Sequence, residues 1–431
     1  MLKQLRNTLG PLFLMVVCPA FAMLVWYTNT HLSGSLLALW NMIMQDGLLQ
    51  TLYSVWWPIV LGDHTAWSMI ACFAFFQLLL MRVLPGKIFY GPISPKGNVP
   101  IYKANGVLAF ITTVVTFCIC SFYLHLFAPT IIYDNFGPLL AALNLFSLLF
   151  CLFLYIKGRF APSSSDSGYT GNFLFDYYWG TELYPRIGGW QLKQFVACRF
   201  GMMSWALILI SYAAKQQALF GLSNSLLISI VLQLLYVSKF FVWETGYLRS
   251  LDMMHDRAGF YICWGCLVWV PCVYTSPSMY LVLHPIDLNG LVGGGIFILG
   301  TLSILINYLA DRQRQKVRAT NGQCKVWGKM PVMTWATYQT EQGETKKNIL
   351  LASGWWGMAR HFHYVPEIAA AFFWSVPALF MDFMPYFYVS FLTVLLLDRA
   401  FRDDVRCAKK YGKYWRQYCK QVPYKIVPYL I

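Results

Sequence analysis

The chain has 431 residues, 58% of them hydrophobic and only 12% charged, with a formal net charge of +15. Soluble domains carry about twice that share of charge, and the apolar residues gather in runs such as 106–126, 139–156 and 291–309, each near the roughly 20 residues that cross a bilayer. The positive charge argues for a membrane rather than for nucleic acid, because it lies in the short polar stretches between those runs, where cytoplasmic loops collect Lys and Arg.

In chain order, about ten spans are expected, near 11–28, 50–62, 66–84, 106–127, 136–157, 196–214, 221–243, 260–274, 288–309 and 366–398. The first follows a short basic start with no small-residue cleavage site, so it reads as a span and not as a removed leader. The piece at 50–62 is short enough to be re-entrant or interfacial. The piece at 366–398 is long enough for two helices, broken at Met384 and Pro385. Three polar stretches separate or follow spans: 157–193, with Pro, Ser and Gly turns; 311–348, rich in Arg and Lys; and the tail 399–431. With Lys3 and Arg6, these basic stretches place both termini in the cytoplasm. The expected fold is all-α, a polytopic membrane protein with about ten transmembrane helices and no internal repeat. The twelve cysteines are scattered, mostly inside apolar runs, and none has zinc or redox spacing. No metal site is expected.

The second half carries most of the ionisable residues at or near membrane depth, from Lys239 and Glu244 through His255 and Asp256 to Arg360, His361, Asp403 and Asp404. Such charges are expensive, so they line a cavity or pair with one another. In GWWGMARHFHYVPEI (354–368), Arg360, His361 and Tyr364 recur at one-turn spacing beside Trp355 and Trp356. A cation next to aromatic rings suits a phosphate or an adenine, although an interfacial aromatic belt would look similar. In DRAFRDDVRCAKKYGKYWRQY (398–418), helical spacing sets Arg399 one turn from Asp403 and Arg402 one turn from Arg406. A basic helix held to anionic lipid explains the lysines but not the pair Asp403–Asp404 or Tyr411, Trp415 and Tyr418. Arg314 and Arg318 form a further i,i+4 pair at a span end. No GxGxxG follows a strand, so a dinucleotide would bind between helices and not on a Rossmann domain.

Several long stretches resemble the sterol reductase family, which includes the sterol C14 reductases, the C24(28) reductases, 7-dehydrocholesterol reductases and the membrane domain of the lamin B receptor. They include PTIIYDNFGPLL (129–140), TGNFLFDYYWGTELYPRIGGW (170–190), WETGYL (243–248), HDRAGFYICWG (255–265), TNGQCKVWGK (320–329), SGWWGMARHFHY (353–364) and RDDVRCAKKYGKYW (402–415). Within the family, TGNF, NFGPLL and the His255–Asp256 pair are most similar to the 7-dehydrocholesterol branch. The resemblance implies a ten-helix fold, with residues 1–195 as N-terminal helices and 196–431 forming joined NADPH and sterol pockets in one membrane domain. It assigns Arg314, Arg318, Trp356, His363, Tyr364, Arg399, Asp403, Tyr411, Trp415 and Tyr418 to NADPH. It assigns Tyr236, Lys239, Glu244 and Cys266 to the sterol, which arrives from the surrounding lipid. The chain departs from the family pattern at Lys239 (usually Asp), Trp243 (Asn), Gly246 (Trp), Cys266 (Asp), His363 (Asn) and Asp398 (His).

The implied reaction saturates a sterol ring double bond, C7–C8 in the favoured reading and C14–C15 or a side-chain bond otherwise. An unactivated alkene accepts hydride poorly, so protonation to a tertiary carbocation comes first and hydride follows. Tyr236 is the expected proton donor, with Asp403 relaying or polarising. The competing readings are a non-catalytic sterol-binding protein, a methyltransferase of the isoprenylcysteine type and a transporter. The expected location is a multi-pass membrane protein, in the endoplasmic reticulum of a eukaryote or the inner membrane of a bacterium.

Overall fold

The computed structural model describes residues 5–94, 96–339 and 343–430, with residues 5 and 6 by backbone alone. Lys3 and the Arg6 side chain, used above for orientation, lie outside the described residues. Among those described, nine helices are long and apolar enough to cross a membrane. They are α1 (Asn7–His31), α2 (His64–Val83), α3 (Gly106–Tyr123), α4 (Phe136–Phe160), α5 (Leu192–Phe220), α6 (Asn224–Val242), α7 (Phe260–Leu283), α8 (Gly290–Ala319) and the span Met384–Tyr411. The polytopic all-α reading therefore holds. Side-chain caps set several starts. Asp63 accepts from the Ala66 amide at 2.7 Å to open α2, and Asn289 accepts from the Leu291 amide at 2.9 Å to open α8.

Three stretches differ from the sequence reading, and a fourth, the break within 366–398, bears it out. The expected span at 50–62 is the short helix Leu48–Trp56 with a single further turn at Trp57–Ile59, and a second short helix, Leu36–Asp46, precedes it and meets it at Gly47. Gly47 has φ +82°, a conformation other residues resist. The nine residues of Leu48–Trp56 rise only about 14 Å, less than half the hydrocarbon thickness. The piece at 366–398 does divide, into α9 (Tyr364–Ser375) and α10 (Phe387–Tyr411), with a short turn at Met384–Tyr386 before α10. The stretch 311–348 is not a loop throughout. Helix α8 runs on to Ala319, and an antiparallel hairpin of Met333–Gln339 with Thr345–Leu351 follows. Its first strand buries Thr334 and Ala336 while Trp335 faces out, so its alternation runs against the polarity that marks a strand. Finally, the last span does not stop at 398, because α10 continues to Tyr411. Gly412, at φ +52°, turns the chain into α11 (Lys413–Gln421).

Four of the helices contain π-helical turns, at Leu5–Leu9 where α1 begins, Ile119–Tyr123 in α3, Phe195–Gly201 in α5 and Gly265–Tyr274 in α7. Such turns add a residue to the helical repeat and often mark functional sites.

The chain packs as two compact units. The first comprises Met1–Ser94, Asn98–Leu288 and Pro377–Pro385; the second comprises Pro95–Gly97, Asn289–Val376 and Tyr386–Ile431. The boundary at 195/196 taken from the sequence falls inside the continuous helix α5. In the first unit, many buried polar side chains are paired, as a low-dielectric interior favours. Trp205 donates to Gln233 at 2.9 Å, Trp264 to Asn144 at 2.8 Å and Gln233 to Ser278 at 2.7 Å. In the second unit, Tyr411, Trp415, Tyr418 and Val422 pack with Ala336 and Leu350 of the hairpin.

Candidate functional site

The second unit gathers the residues expected to hold a nucleotide. The end of α8 carries Arg314, whose guanidinium lies 3.9 Å from the centre of the Trp356 ring. It also donates to Asp311 at 3.1 Å, one turn back. The Trp356 indole is fixed by donating to the Ala310 carbonyl at 2.7 Å. From there the rings continue: Trp356 to His363 at 4.8 Å, His363 to Tyr364 at 4.3 Å, and Tyr364 stacked on His361 at 5.3 Å. Asn307 donates to the His363 carbonyl at 2.9 Å, joining α8 to the start of α9. Arg318 stands one helical turn beyond Arg314 with an exposed side chain.

The cation expected beside the tryptophans is thus Arg314 and not Arg360. Arg360 is buried and serves the C-terminal tail. Its Nη1 donates to the Val422 and Pro423 carbonyls, both at 2.8 Å, and its Nη2 lies 3.5 Å from Asp404. The His361 amide donates to the Lys425 carbonyl at 2.7 Å, so the tail is laced to this segment. The His361 imidazole is held neutral, its pKa pushed down to about 4. Burial is the chief cause, and Arg314 and Arg360 add to it; Asp403, 3.7 Å away, pulls the other way and loses.

Helix α10 presents Arg399, half-buried, and Asp403. Asp403 is paired with Arg406, whose Nε donates at 3.0 Å, rather than standing alone. Arg402 pairs with Asp398 at 2.6 Å. Tyr411, Trp415 and Tyr418 are brought together, but largely as core. Asn348 donates to the Tyr411 hydroxyl at 2.8 Å, and the Trp415 indole donates to Asp404 at 3.3 Å. Burial raises the Tyr418 phenol well above its ordinary pKa.

In the first unit, Tyr236 and Lys239 share one face of α6, and the Lys239 ammonium stands 4.2 Å from the centre of the Tyr236 ring. Trp205 of α5 flanks the same ring at 5.7 Å. Cys266 sits in the π turn of α7, its backbone so close to Gly201 that a Cβ there would come 2.7 Å from the Cys266 carbonyl oxygen. Glu244 is buried and fully engaged. It accepts from the Gly106 amide at 2.8 Å and from Gln194 at 3.2 Å, and it pairs with Arg199 at 2.6 Å. Arg199 also donates to Asn105 at 2.9 Å and has no exposed surface. Arg199, Gln194 and Asn105 were missed from the sequence. Arg199 was nevertheless visible as the lone cation inside the apolar run 196–214, which is the signature of a charge with a function or a partner. A Cβ on Gly246 would run into the Trp243 indole, so the large residue at 243 requires the small one at 246.

A bundle of membrane-crossing helices, with a cation–aromatic shelf in one unit and a buried ionic cluster in the other, defines a multi-pass membrane protein with a polar site. The chain belongs to the Ergosterol biosynthesis ERG4/ERG24 family, whose model matches residues 6–431. It is 53% identical over 419 residues to a 7-dehydrocholesterol reductase of Arabidopsis thaliana, covering 97% of this chain and 96% of that protein. It is 37% identical over 373 residues to a 7-dehydrocholesterol reductase of Xenopus laevis, covering 85% and 79%. It is 35% identical over 427 residues to a Delta(14)-sterol reductase of Methylotuvimicrobium alcaliphilum, covering 97% and 93%.

Proposed function

We propose that the chain is an NADPH-dependent sterol reductase that saturates the C7–C8 double bond of 7-dehydrocholesterol-type sterols. The observation that carries this reading is the 53% identity, over nearly the full length of both chains, to a 7-dehydrocholesterol reductase. A second reading, reduction of a C14–C15 bond, is favoured by the 35% identity to a Delta(14)-sterol reductase over 97% of the chain.

The side chains of the second unit fit a phosphorylated dinucleotide. Arg314 and Arg318 supply charge-assisted donors for phosphate, and Trp356, His363 and Tyr364 offer flat faces to an aromatic base. Asp403, with Arg406 and His361 beside it, orients this segment and gives polar groups of the cofactor an acceptor. Arg399, Tyr411, Trp415 and Tyr418 complete the proposed set. When bound, the nicotinamide supplies hydride. Tyr236 delivers the proton to the alkene, and the phenolate it leaves stands beside the Lys239 ammonium. Lys239 and Cys266 face the sterol, and Glu244 acts by holding Arg199 and the start of α3 in place.

The test incubates the purified, detergent-solubilised protein with NADPH and a panel of 7-dehydrocholesterol, a Δ8,14 sterol, and Δ24 and Δ24(28) sterols, with products read by mass spectrometry. A gain of two hydrogens on 7-dehydrocholesterol supports the reading. Gain on the Δ8,14 sterol alone moves the reduced bond, and no product from any member overturns the reductase.

A further inference from the structure

The first unit contains an apolar cavity of about 630 Å³, walled by α2, α3, α4, α5 and the segment 127–132, and closed in part by α7. That volume lies within the roughly 300–1,000 Å³ of sites that take whole small molecules. None of its described lining residues belongs to α6, so it is separate from Tyr236 and Lys239. Three of the four π-helical turns reach it, Cys120 from α3, Phe200 from α5 and Pro271 from α7, while that at Leu5–Leu9 does not among the described residues. Three costly backbone irregularities meeting on one cavity are better explained by a shaped site than by a packing flaw.

The wall is chemically selective. No charged side chain is among the described lining residues, so a phosphate or choline headgroup would enter without a partner. The polar groups are hydroxyls. Many Ser and Thr hydroxyls elsewhere in the helices bond back to the preceding turn, as Ser121 does to Phe117 at 2.7 Å, Ser238 to Leu234 at 2.7 Å and Thr393 to Val389 at 2.8 Å, although Thr28 and Thr301 do not. Ser68 and Thr116, both lining the cavity, make no such bond among the described residues. Thr113, also in the wall, accepts from buried Gln77 at 2.9 Å, and Gln77 Oε1 has no partner. Unspent hydroxyls facing hydrocarbon cost free energy unless a ligand group meets them. Flat apolar faces come from Phe73 and Phe200, whose rings lie 5.1 Å apart, and from Phe117 and Phe127 at 5.5 Å.

We propose that this cavity is a second sterol site, taking an uncharged polycyclic lipid with a single hydroxyl, apart from the residues that carry turnover. The hydroxyl meets Ser68, Thr113 and Thr116, and the ring system lies against the phenylalanines. The occupant is the molecular class on which the proposed reductase acts, and the site offers that class a place from which turnover can be tuned by sterol level.

The experiment photolabels the full-length protein in phosphatidylcholine nanodiscs with a diazirine-bearing 3-hydroxysterol, with and without excess unlabelled sterol, and maps the labelled peptides by mass spectrometry. A photoreactive phosphatidylcholine runs in parallel. The expected result is saturable sterol label on peptides of α2, α3 and α5 around Ser68, Thr116 and Ser204. That label should fall at least fivefold in Thr116→Trp, which fills the cavity, while NADPH-dependent turnover stays within twofold. Such label would stand even in a protein that turned over no sterol, so its fate is separable from that of the reductase reading. Absence of competed label on those peptides overturns the proposal. So does equal labelling by phosphatidylcholine that sterol does not displace, or loss of turnover in parallel with label, which would make the cavity the turnover site. Should Thr116→Trp not fold, the competition in the wild-type protein decides alone.

Discussion

The two compact units handle charge in opposite ways. In the first, Arg199 and Glu244 are almost wholly removed from solvent, with side-chain exposures of 0% and 4%, and each serves the other. In the second, the cations outrun the acids. Arg314, Arg318, Arg360, Arg406 and Lys425 gather around Asp311, Asp403 and Asp404, and several stay partly exposed. A neutralised, dry pair fixes architecture, even with the buried Arg199 Nε and Nη1 left without a hydrogen-bond partner among the described residues. A surplus of half-exposed guanidiniums beside aromatic rings is an anion site in waiting. The contrast separates charges that build the bundle from charges that bind.

The sharpest way to break this distinction is to remove one partner of the dry pair. Arg199→Met strands a buried carboxylate and should cost about 3–5 kcal/mol, seen as a large fall in melting temperature and in yield of monodisperse protein. Arg199→Met combined with Glu244→Leu should recover much of that loss. If the single variant melted like wild type, the cluster would not be structural.

In catalysis, Tyr236→Phe should lower turnover by about 10²-fold or more with NADPH affinity unchanged, measured by product formation and by cofactor fluorescence. Full turnover in that variant would remove Tyr236 from the proton-donor role.

His361 probes the second unit. Its folded pKa, near 4, lies below its ordinary 6.5, so the unfolded chain binds the extra proton between those values. The imidazole's contribution is therefore complete above about pH 6.5 and is lost as pH falls toward 4, amounting to at most about 3 kcal/mol. Melting curves across that window should flatten in His361→Gln. An unchanged slope would mean that another group drives the acid sensitivity.

Gly246→Ala should destabilise by about 1–3 kcal/mol through collision with the Trp243 ring, and Trp243→Asn should relieve it in the double variant. The smallest effect belongs to the binding charges. Arg314→Met should raise the KM for NADPH about tenfold, with greater salt sensitivity in wild type than in the variant, and leave the melting temperature within a degree or two. Were Arg314→Met to unfold the protein instead, the contrast between the units would fail.

Much of the architecture was legible along the chain. Long apolar runs located α1 to α8 to within a few residues at most ends, because a helix in hydrocarbon must satisfy its own backbone and be apolar along its whole length. The aromatic and cationic residues of 354–364 and 398–418 were also recognisable as a group. Their assignments were less so. Arg360 looks from sequence like a free ligand-binding cation, yet it spends its donors on the tail carbonyls at 422 and 423, while Arg314, dozens of residues earlier, supplies the cation to Trp356.

What the sequence by itself determined, then, was the membrane class, the family resemblance and the residue types available for the chemistry, since these depend on local composition and on contiguous motifs. Only the tertiary structure decided which charges cancel, that Trp243 excludes a side chain at 246, and that three π turns converge on one cavity. Those features are set by residues tens to more than a hundred positions apart or by backbone geometry. Partner choice in a low-dielectric interior depends on distance in space, which no spacing along the chain records.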